Sequence, residues 1–480
     1  MKRLRWYDYI TVNLFWLGLN IRNNAVGALF MPYLVDAFVR GEVKNTALGA
    51  MRTAGLIIAM LVQPAAGLLS DRSTSRFGRR RPYIFVGVLL DLAFLAAIGL
   101  AWNYWALLIA VLLFQFSSNV SHGPLQGLIP DLVPENERGR ASGVKAIMEL
   151  LPLILIAFTI ARLMGAGQVG WAIAATGAAL LVTMLLTLWF VKEEPLREKP
   201  TTPLGPPMLR VLGMLAGIGV GAMAGLVGGG LVGGLAGLMT WPVAGPQIAR
   251  AVGVGVGGLV AMAVAVVVGV WGGALTTLGR DARQHASFTW WVVNRLLFLA
   301  AITSIQGFAP YFLMYAFNMT RQAAADLTGS LMMVVGIFTL LTALPSGWLA
   351  DRLGHKLLVG ASGLVAAVGA FMLLGTIWVP NLSLIYIAGC ILGLATGLFT
   401  TTNWALGTNL VPRAEAGRYL GISNLAGAGA GMIGAGIGGP LADFLNGYRP
   451  GLGYFTIFAC YGILFVLSTL LLVKVSERKT

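Results

Sequence analysis

Residues Gly67–Pro82 read GLLSDRSTSRFGRRRP, and their opening hexapeptide returns at Gly347–Arg352 as GWLADR. A second pair lies downstream of each: PENERGRASG at Pro134–Gly143 and PRAEAGRYLG at Pro412–Gly421. Two separate matches at nearly one spacing imply a duplicated unit. The chain therefore divides into a six-helix N-terminal half, 1–195, a linker, 196–285, and a six-helix C-terminal half, 286–480. In the first copy Asp71 lies one helical turn after Gly67 and is followed by Arg72 and a basic loop holding Gly78, Arg79 and Arg80. Gly347, Asp351 and Arg352 repeat the pattern, and Arg138 and Arg418 occupy matching places in the second pair. Glycine lets helices approach closely, and each Asp can pair with Arg or cap a neighbouring helix. Such contacts would latch the cytoplasmic side and break as the halves rock.

The composition says which solvent the halves fold in. Of 480 residues, 57% are apolar and 11% charged, where a soluble domain carries about a quarter charged. A mean hydropathy of +0.81 leaves too little polar surface to cover a globule in water, which excludes soluble enzymes, secreted disulfide scaffolds and disordered chains. A spanning helix needs about 20 mostly apolar residues. Fourteen stretches satisfy this, from 8–37 through 208–239 and 249–278 to 452–474. Backbone groups in lipid must bond internally, so each is read as a helix. The expected fold is an all-α membrane protein.

A net charge of +15 in a soluble chain would suggest nucleic acid. With the N-terminus in the cytoplasm, the basic residues fall on the inner side, except Arg22, Arg40, Lys44, Arg52, Arg162, Arg250, Arg295, Arg321 and Arg449. Arg295, near the cytoplasmic start of its span, could snorkel inward. The excess thus encodes orientation: a multi-pass protein of the plasma or inner membrane with both termini cytoplasmic. The lipid bilayer is its partner, and nucleic acid is not. The first apolar run lacks a small-residue cleavage site and is read as an uncleaved span. Cys390 and Cys460 lie in apolar runs without metal-ligand spacing, so no disulfide, metal or cofactor is expected.

The linker is the most biased stretch. No charged residue lies between Arg210 and Arg250. Gly213, Gly217, Gly221, Gly225, Gly229, Gly233 and Gly237 keep a four-residue period, and Gly253, Gly257, Ala261, Ala265, Gly269 and Gly273 repeat it. Small residues so spaced form a groove for a second backbone. This reads as an inserted transmembrane hairpin turning at Trp241–Gln247, serving to clamp its own two helices, to contact a second copy or another partner, or to pack as a wall against the rest of the protein.

The doubled GLLSDR/GWLADR element resembles the loop signature of the major facilitator superfamily, whose fold is two six-helix halves related by a pseudo-two-fold axis. The longer string SDRSTSRFGRRRPYI is similar to that of plant sucrose–proton symporters and their relatives in the glycoside–pentoside–hexuronide:cation symporter group. Gly18, Pro32 and Tyr33 match that group, as do Asn119, Gly123, Pro124, Leu128, Asp131 and Leu132. The resemblance covers both halves but not the hairpin. It implies a secondary transporter of a sugar or related hydroxylated solute, proton-coupled or facilitative, working by alternating access. Where plant members carry an Asp and an Arg in the fourth span, this chain has Gln115 and Gln126, so both charges are absent together.

Gln115, Asn119, His122 and Gln126 nevertheless fall on one helix face. Four such side chains against lipid would be expensive, so they either face a polar cavity or bond between helices, and amides suit hydroxyl-rich ligands. The first span adds Asn20, Arg22, Asn23 and Asn24, where Arg22 needs an anionic or carbonyl partner. In the second half Gln306, Thr400, Asn403 and Trp404 are the best equivalents, the Trp either stacking on a sugar or packing. The acids within spans are Asp91 and Glu149. Glu149 either pairs with Lys145 one turn earlier or carries the coupling proton, with Asp91 as the other carrier. A competing reading is a non-transporting assembly factor that docks partners through the glycine hairpin. No nucleophile elbow, metal cluster or GxxxxGK[ST] motif supports an enzyme or an ATP-driven pump.

Overall fold

A computed structural model describes residues 5–134, 137–193, 205–279, 281–410 and 416–476. Every regular element among them is helical. The first span is α1 (Trp6–Asn24) and α2 (Met31–Phe38), joined by a wider π-type turn at Ala25–Phe30. Then follow α3 (Lys44–Ser70), α4 (Arg81–Gly99), α5 (Tyr104–Gln126), α6 (Leu128–Leu132), α7 (Arg138–Phe158), α8 (Ile160–Gly165) and α9 (Val169–Phe190). The linker holds α10 (Gly205–Leu278) and α11 (Asp281–Gln284). The rest is α12 (Ala286–Phe317), α13 (Arg321–Leu353), α14 (His355–Leu374), α15 (Leu382–Leu410), α16 (Ala416–Asn446) and α17 (Leu452–Leu471).

Local chemistry sets the ends of these helices. The Asn103 side chain accepts from Ala106 N–H at 2.8 Å and caps α5, filling one of the donors that a helix start leaves open. Asp8 reaches back to the Arg5 N–H at 2.7 Å at the start of α1. At the far end of α12, Asn318 takes the left-handed conformation that terminates helices.

Eleven helices among the described residues are long and apolar enough to cross a membrane. The difference from the fourteen stretches in the sequence has three sources. The π turn divides the first span into segments, the longer of which carries Asp8 and Arg22. Part of α16 adjoins residues outside the description. The stretches 208–239 and 249–278 run together in α10, whose two helices meet at Gly245, where φ is +78° between Pro242 and Pro246.

The chain forms two compact units. Unit 1 holds residues 1–38, 54–209 and 321–336, and unit 2 holds 39–53, 210–320 and 337–480. The start of α3 thus belongs with the C-terminal helices and the start of α13 with the N-terminal ones. In unit 1, Phe15, Leu19, Ile84, Val88, Leu125, Leu180 and Met184 make a buried core among α1, α4, α5 and α9. In unit 2, Phe298 stacks on Phe399 with ring centroids 3.7 Å apart and lies edge-on to Phe465.

The two arms of α10 also lie in unit 2. A Cβ at Gly225 would sit 2.5 Å from the Ala261 carbonyl oxygen, and one at Gly233 would meet Gly253 and Gly257 backbone. The arms thus approach backbone to backbone along the glycine period. Their outer side meets Leu441 of α16 and Thr456 of α17, and Cys460 Sγ donates to the Gly255 carbonyl at 3.8 Å.

Candidate functional site

In unit 1, three helices converge on Trp16 of α1. Lys145 of α7 sets its ammonium 4.0 Å from the centre of the indole ring, and His122 of α5 meets the same ring edge-on at 5.3 Å. Gln126 Nε2 lies 3.4 Å from His122 Nε2. Lys145 also pairs with Glu149 at 3.3 Å, and the Glu149 side chain is 37% exposed. Gln115, His122 and Gln126 all keep some exposure while Asn119 is buried, so the α5 stripe presents amides and an imidazole on one accessible face. Asn119 spends its N–H on the Gln115 carbonyl at 2.7 Å. Asn20 and Asn24 bond back to Trp16 and Asn20 carbonyls of their own helix. Asn23 is exposed.

Arg22 finds its partner on α4. Its guanidinium lies 3.3 Å from Asp91 and neither side chain has any exposure. It donates to Ser118 and lies over the Phe114 ring at 4.9 Å, while Asp91 accepts from Ser117 Oγ at 3.0 Å. The π turn directly follows Arg22 and Asn24, a deformation common at functional positions. Asp91 and Glu149 therefore occupy opposite environments: one is sealed in an ion pair, the other accessible beside a lysine.

Unit 2 holds a second cluster. Arg295 Nη1 donates to Asn403 Oδ1 at 3.1 Å, and its guanidinium lies 5.9 Å from the Trp291 ring and 5.3 Å from the Trp404 ring. Arg295, which could snorkel inward from its span, thus meets an amide acceptor on α15 and two indoles, one on α12 and one on α15. Asn403 is itself held by Asn294, which donates to Ser468. Trp404 is 37% exposed, Thr400 is exposed and Gln306 half-buried. Asn403 and Trp404 thus meet Arg295, while Thr400 lies one turn earlier on α15, bonded to the Thr396 carbonyl at 2.9 Å, and Gln306 lies further along α12.

The basic loop closes inside unit 1. Arg80 pairs with Asp71 at 2.8 Å and with Asp131 of α6, which Arg79 also reaches. Glu193, just past α9, accepts from the Arg80 and Arg81 backbone N–H groups at 2.9 and 3.2 Å and so caps α4. Burial alone would lower the Arg79 guanidinium, but the hydrogen bond and charge of Asp131 outweigh it and raise it above its ordinary value. This cation stays charged at any physiological pH. Gly67 packs near the Gly123 backbone of α5, and Gly347 faces open space. Arg72 is half-buried, and Arg352 stacks on Trp348 at 4.0 Å. The side chains of Arg138, Asp351 and Arg418 lie outside the described residues.

The sequence marks Lys145 as a partner of Glu149 and Arg295 as a cation within a span, but not their contacts with Trp16, Trp291 and Trp404. Nothing local marks Glu193, whose bond to Arg80 spans 113 positions.

The family model described as Major Facilitator Superfamily matches residues 19–280 and 291–480. Over 112 residues, 19% of this chain and 21% of the relative, the sequence is 39% identical to a sucrose transport protein of Oryza sativa subsp. japonica. Over 183 residues, 31% of this chain and 24% of the relative, it is 32% identical to the proton-associated sugar transporter A of Homo sapiens. The matched segments thus span about a quarter or less of these relatives. The crystal structure of a D-xylose-proton symporter superposes with a TM-score of 0.64, covering 99% of each chain at 18% identity. A POT family transporter gives 0.66, with 96% of this chain and 95% of that one covered at 14% identity.

Proposed function

The chain belongs to the Major Facilitator Superfamily, and from that premise we propose that it is a secondary transporter of a sugar or related hydroxylated solute, coupled to protons. The observation that carries this reading is the face of α5 on which Gln115, His122 and Gln126 keep some exposure, with His122 packed on Trp16 beside Lys145. Amides supply donors and acceptors to hydroxyl groups. Relatives named for sucrose and for proton-associated sugar transport point the same way.

The coupling role goes to the Arg22–Asp91 pair. A proton on Asp91 would cancel the attraction that holds Arg22 and leave the guanidinium to seek another acceptor. Such a change in a buried pair is how proton binding can bias a two-state element. Glu149 stands as the accessible alternative. The loop around Asp71, Arg79 and Arg80 acts as a latch within its own unit, with the basic loops facing the cytoplasm of a plasma or inner membrane. The approach of the two α10 arms along their glycine face supports a hairpin that clamps itself, in a protein that works as a monomer.

Uptake into proteoliposomes with a sugar panel, with and without an inward proton gradient, tests the reading. Saturable uptake that the gradient accelerates is expected, and Gln126→Leu should abolish it. Asp91→Asn should remove the acceleration while solute exchange persists. Uptake indifferent to pH would sink the coupling role, and no uptake of any sugar would sink the substrate class.

A further inference from the structure

The loops at the Lys44 end of α3 enclose a cavity that the proposed transport function does not use. Its volume is about 470 Å³, within the range of small-molecule sites. The wall comes from the turn before α3, the ends of α12 and α16 and the start of α17, all within unit 2. The basic loop follows α3 at its other end, beyond Ser70. Since α3 is long and apolar enough to cross the membrane, the cavity opens on the side away from that loop.

The charge of the wall is negative. Glu42 lines the cavity, is exposed, and enters none of the ion pairs among the described residues. Asp443 lines it too, and its oxygens accept only from neutral N–H groups of Asn45 and Thr46. Those bonds cap α3 but leave the carboxylate its charge. Lys44 is the single cation among the described lining residues, and it directs its ammonium to the Tyr311 ring, 4.8 Å from the ring centre. Two carboxylates against one ammonium thus face the cavity of a chain whose net charge is +15. A concave wall of one sign concentrates counter-charged solutes.

Beside the charge lies an apolar surface. Tyr454 is buried beneath the cavity, and Tyr315, which keeps some exposure, packs on it with ring centroids 5.5 Å apart and planes tilted by 35°. Met314 and Met319 flank this pair and are half-buried. An aromatic face attracts a cation, and thioethers adapt to an aliphatic body. We propose that this cavity binds a small protonated amine with an apolar body, its ammonium donating to Glu42 and its carbon chain resting on Tyr315, Met314 and Met319. An anion would be repelled by the two carboxylates, and a neutral polyol would leave the charge of Glu42 unanswered. The bound cation would also lie beside Asp443, joining the cap of α3 to the ends of α12 and α16.

The test is isothermal titration of the detergent-solubilised full chain at low salt, with n-butylammonium and n-butanol as probes that differ in one group. Saturable binding of n-butylammonium but not of n-butanol is expected. Glu42→Gln should weaken it by about threefold or more, the scale of an exposed charge pair. Glu42→Asp, which keeps the charge, should weaken it less. Tyr315→Leu should also weaken it, while Tyr315→Phe, which keeps the ring, should not. Glu42 is exposed, so the melting temperature of Glu42→Gln without probe should match that of the parent chain, which separates lost binding from lost folding. Equal binding of the two probes, no saturable binding of n-butylammonium, or an affinity unchanged in Glu42→Gln overturns the proposal. Calcium that displaces n-butylammonium, and whose own binding is lost in Glu42→Gln but kept in Tyr315→Leu, also overturns it by assigning the carboxylates to a metal ion. None of these outcomes bears on sugar uptake.

Discussion

Arg22 and Asp91 lie 3.3 Å apart with both side chains wholly buried. Their coupling makes each residue the reason the other is tolerated. Removing one partner leaves an uncompensated charge, so Asp91→Ala should destabilise the protein by about 3–5 kcal/mol, whereas replacing both with apolar residues is often neutral. Thermal denaturation of Asp91→Ala, Arg22→Leu and the double variant Arg22→Leu/Asp91→Leu checks this. A double variant as unstable as the worse single would show that the pair is not a closed unit.

The family and fold class were readable from Gly67–Arg72 and Gly347–Arg352, because the same short element appears twice. The close approach within α10 was readable because a four-residue period of glycine has few other uses in lipid. Asp91 could be flagged as an intramembrane acid, but its pairing with Arg22 could not be derived. That pairing depends on how α1 and α4 pack, and helix packing angle leaves no periodic mark. The contacts of Arg295 with Asn403 and Trp404 were hidden for the same reason, since they depend on how α12 and α15 pack.

The glycines of α10 divide into two sets that should respond oppositely. A Cβ at Gly225 would lie 2.5 Å from the Ala261 carbonyl oxygen, while Gly230 and Gly234 have nothing within 4 Å. Gly225→Leu should force the arms apart and cost about 1–3 kcal/mol or more, as overpacking does. Gly230→Ala and Gly234→Ala should leave stability unchanged or raise it by about 0.5–1 kcal/mol, since alanine is the better helix former. Melting of the three variants in one detergent decides it. Similar losses in all three would mean that the outer glycines are also packed against something.

Asp443 at the end of α16 caps α3. Its carboxylate accepts from the Asn45 backbone N–H at 3.3 Å, the Asn45 side-chain amide at 2.6 Å and the Thr46 backbone N–H at 2.6 Å. Capping losses run to about 0.5–2 kcal/mol, and Asp443→Ala should fall at the upper end because Asn45 is buried and loses its partner too. Asp443→Asn, which keeps one acceptor oxygen, should lose less. Hydrogen exchange at Asn45 and Thr46 reads this directly: protection retained in Asp443→Ala would show that the cap contributes nothing.

Gly78 and Glu193 form the last coupled pair. Gly78 has φ +101°, and a Cβ there would lie 2.6 Å from Glu193 Oε2, the oxygen that accepts from the Arg80 and Arg81 N–H groups. Gly78→Ala should therefore act twice. The left-handed backbone costs a non-glycine residue about 1–2 kcal/mol, and the methyl group displaces the carboxylate that caps α4. Glu193→Ala removes the cap alone. In the double variant Gly78→Ala/Glu193→Ala the contact with the 193 Cβ at 2.8 Å stays, but the carboxylate and its cap can be lost only once, so the loss should be smaller than the sum of the singles by about 0.5 kcal/mol or more. Strict additivity in thermal melts would show that the loop and the end of α9 are independent, and that the latch around Arg80 does not depend on Glu193.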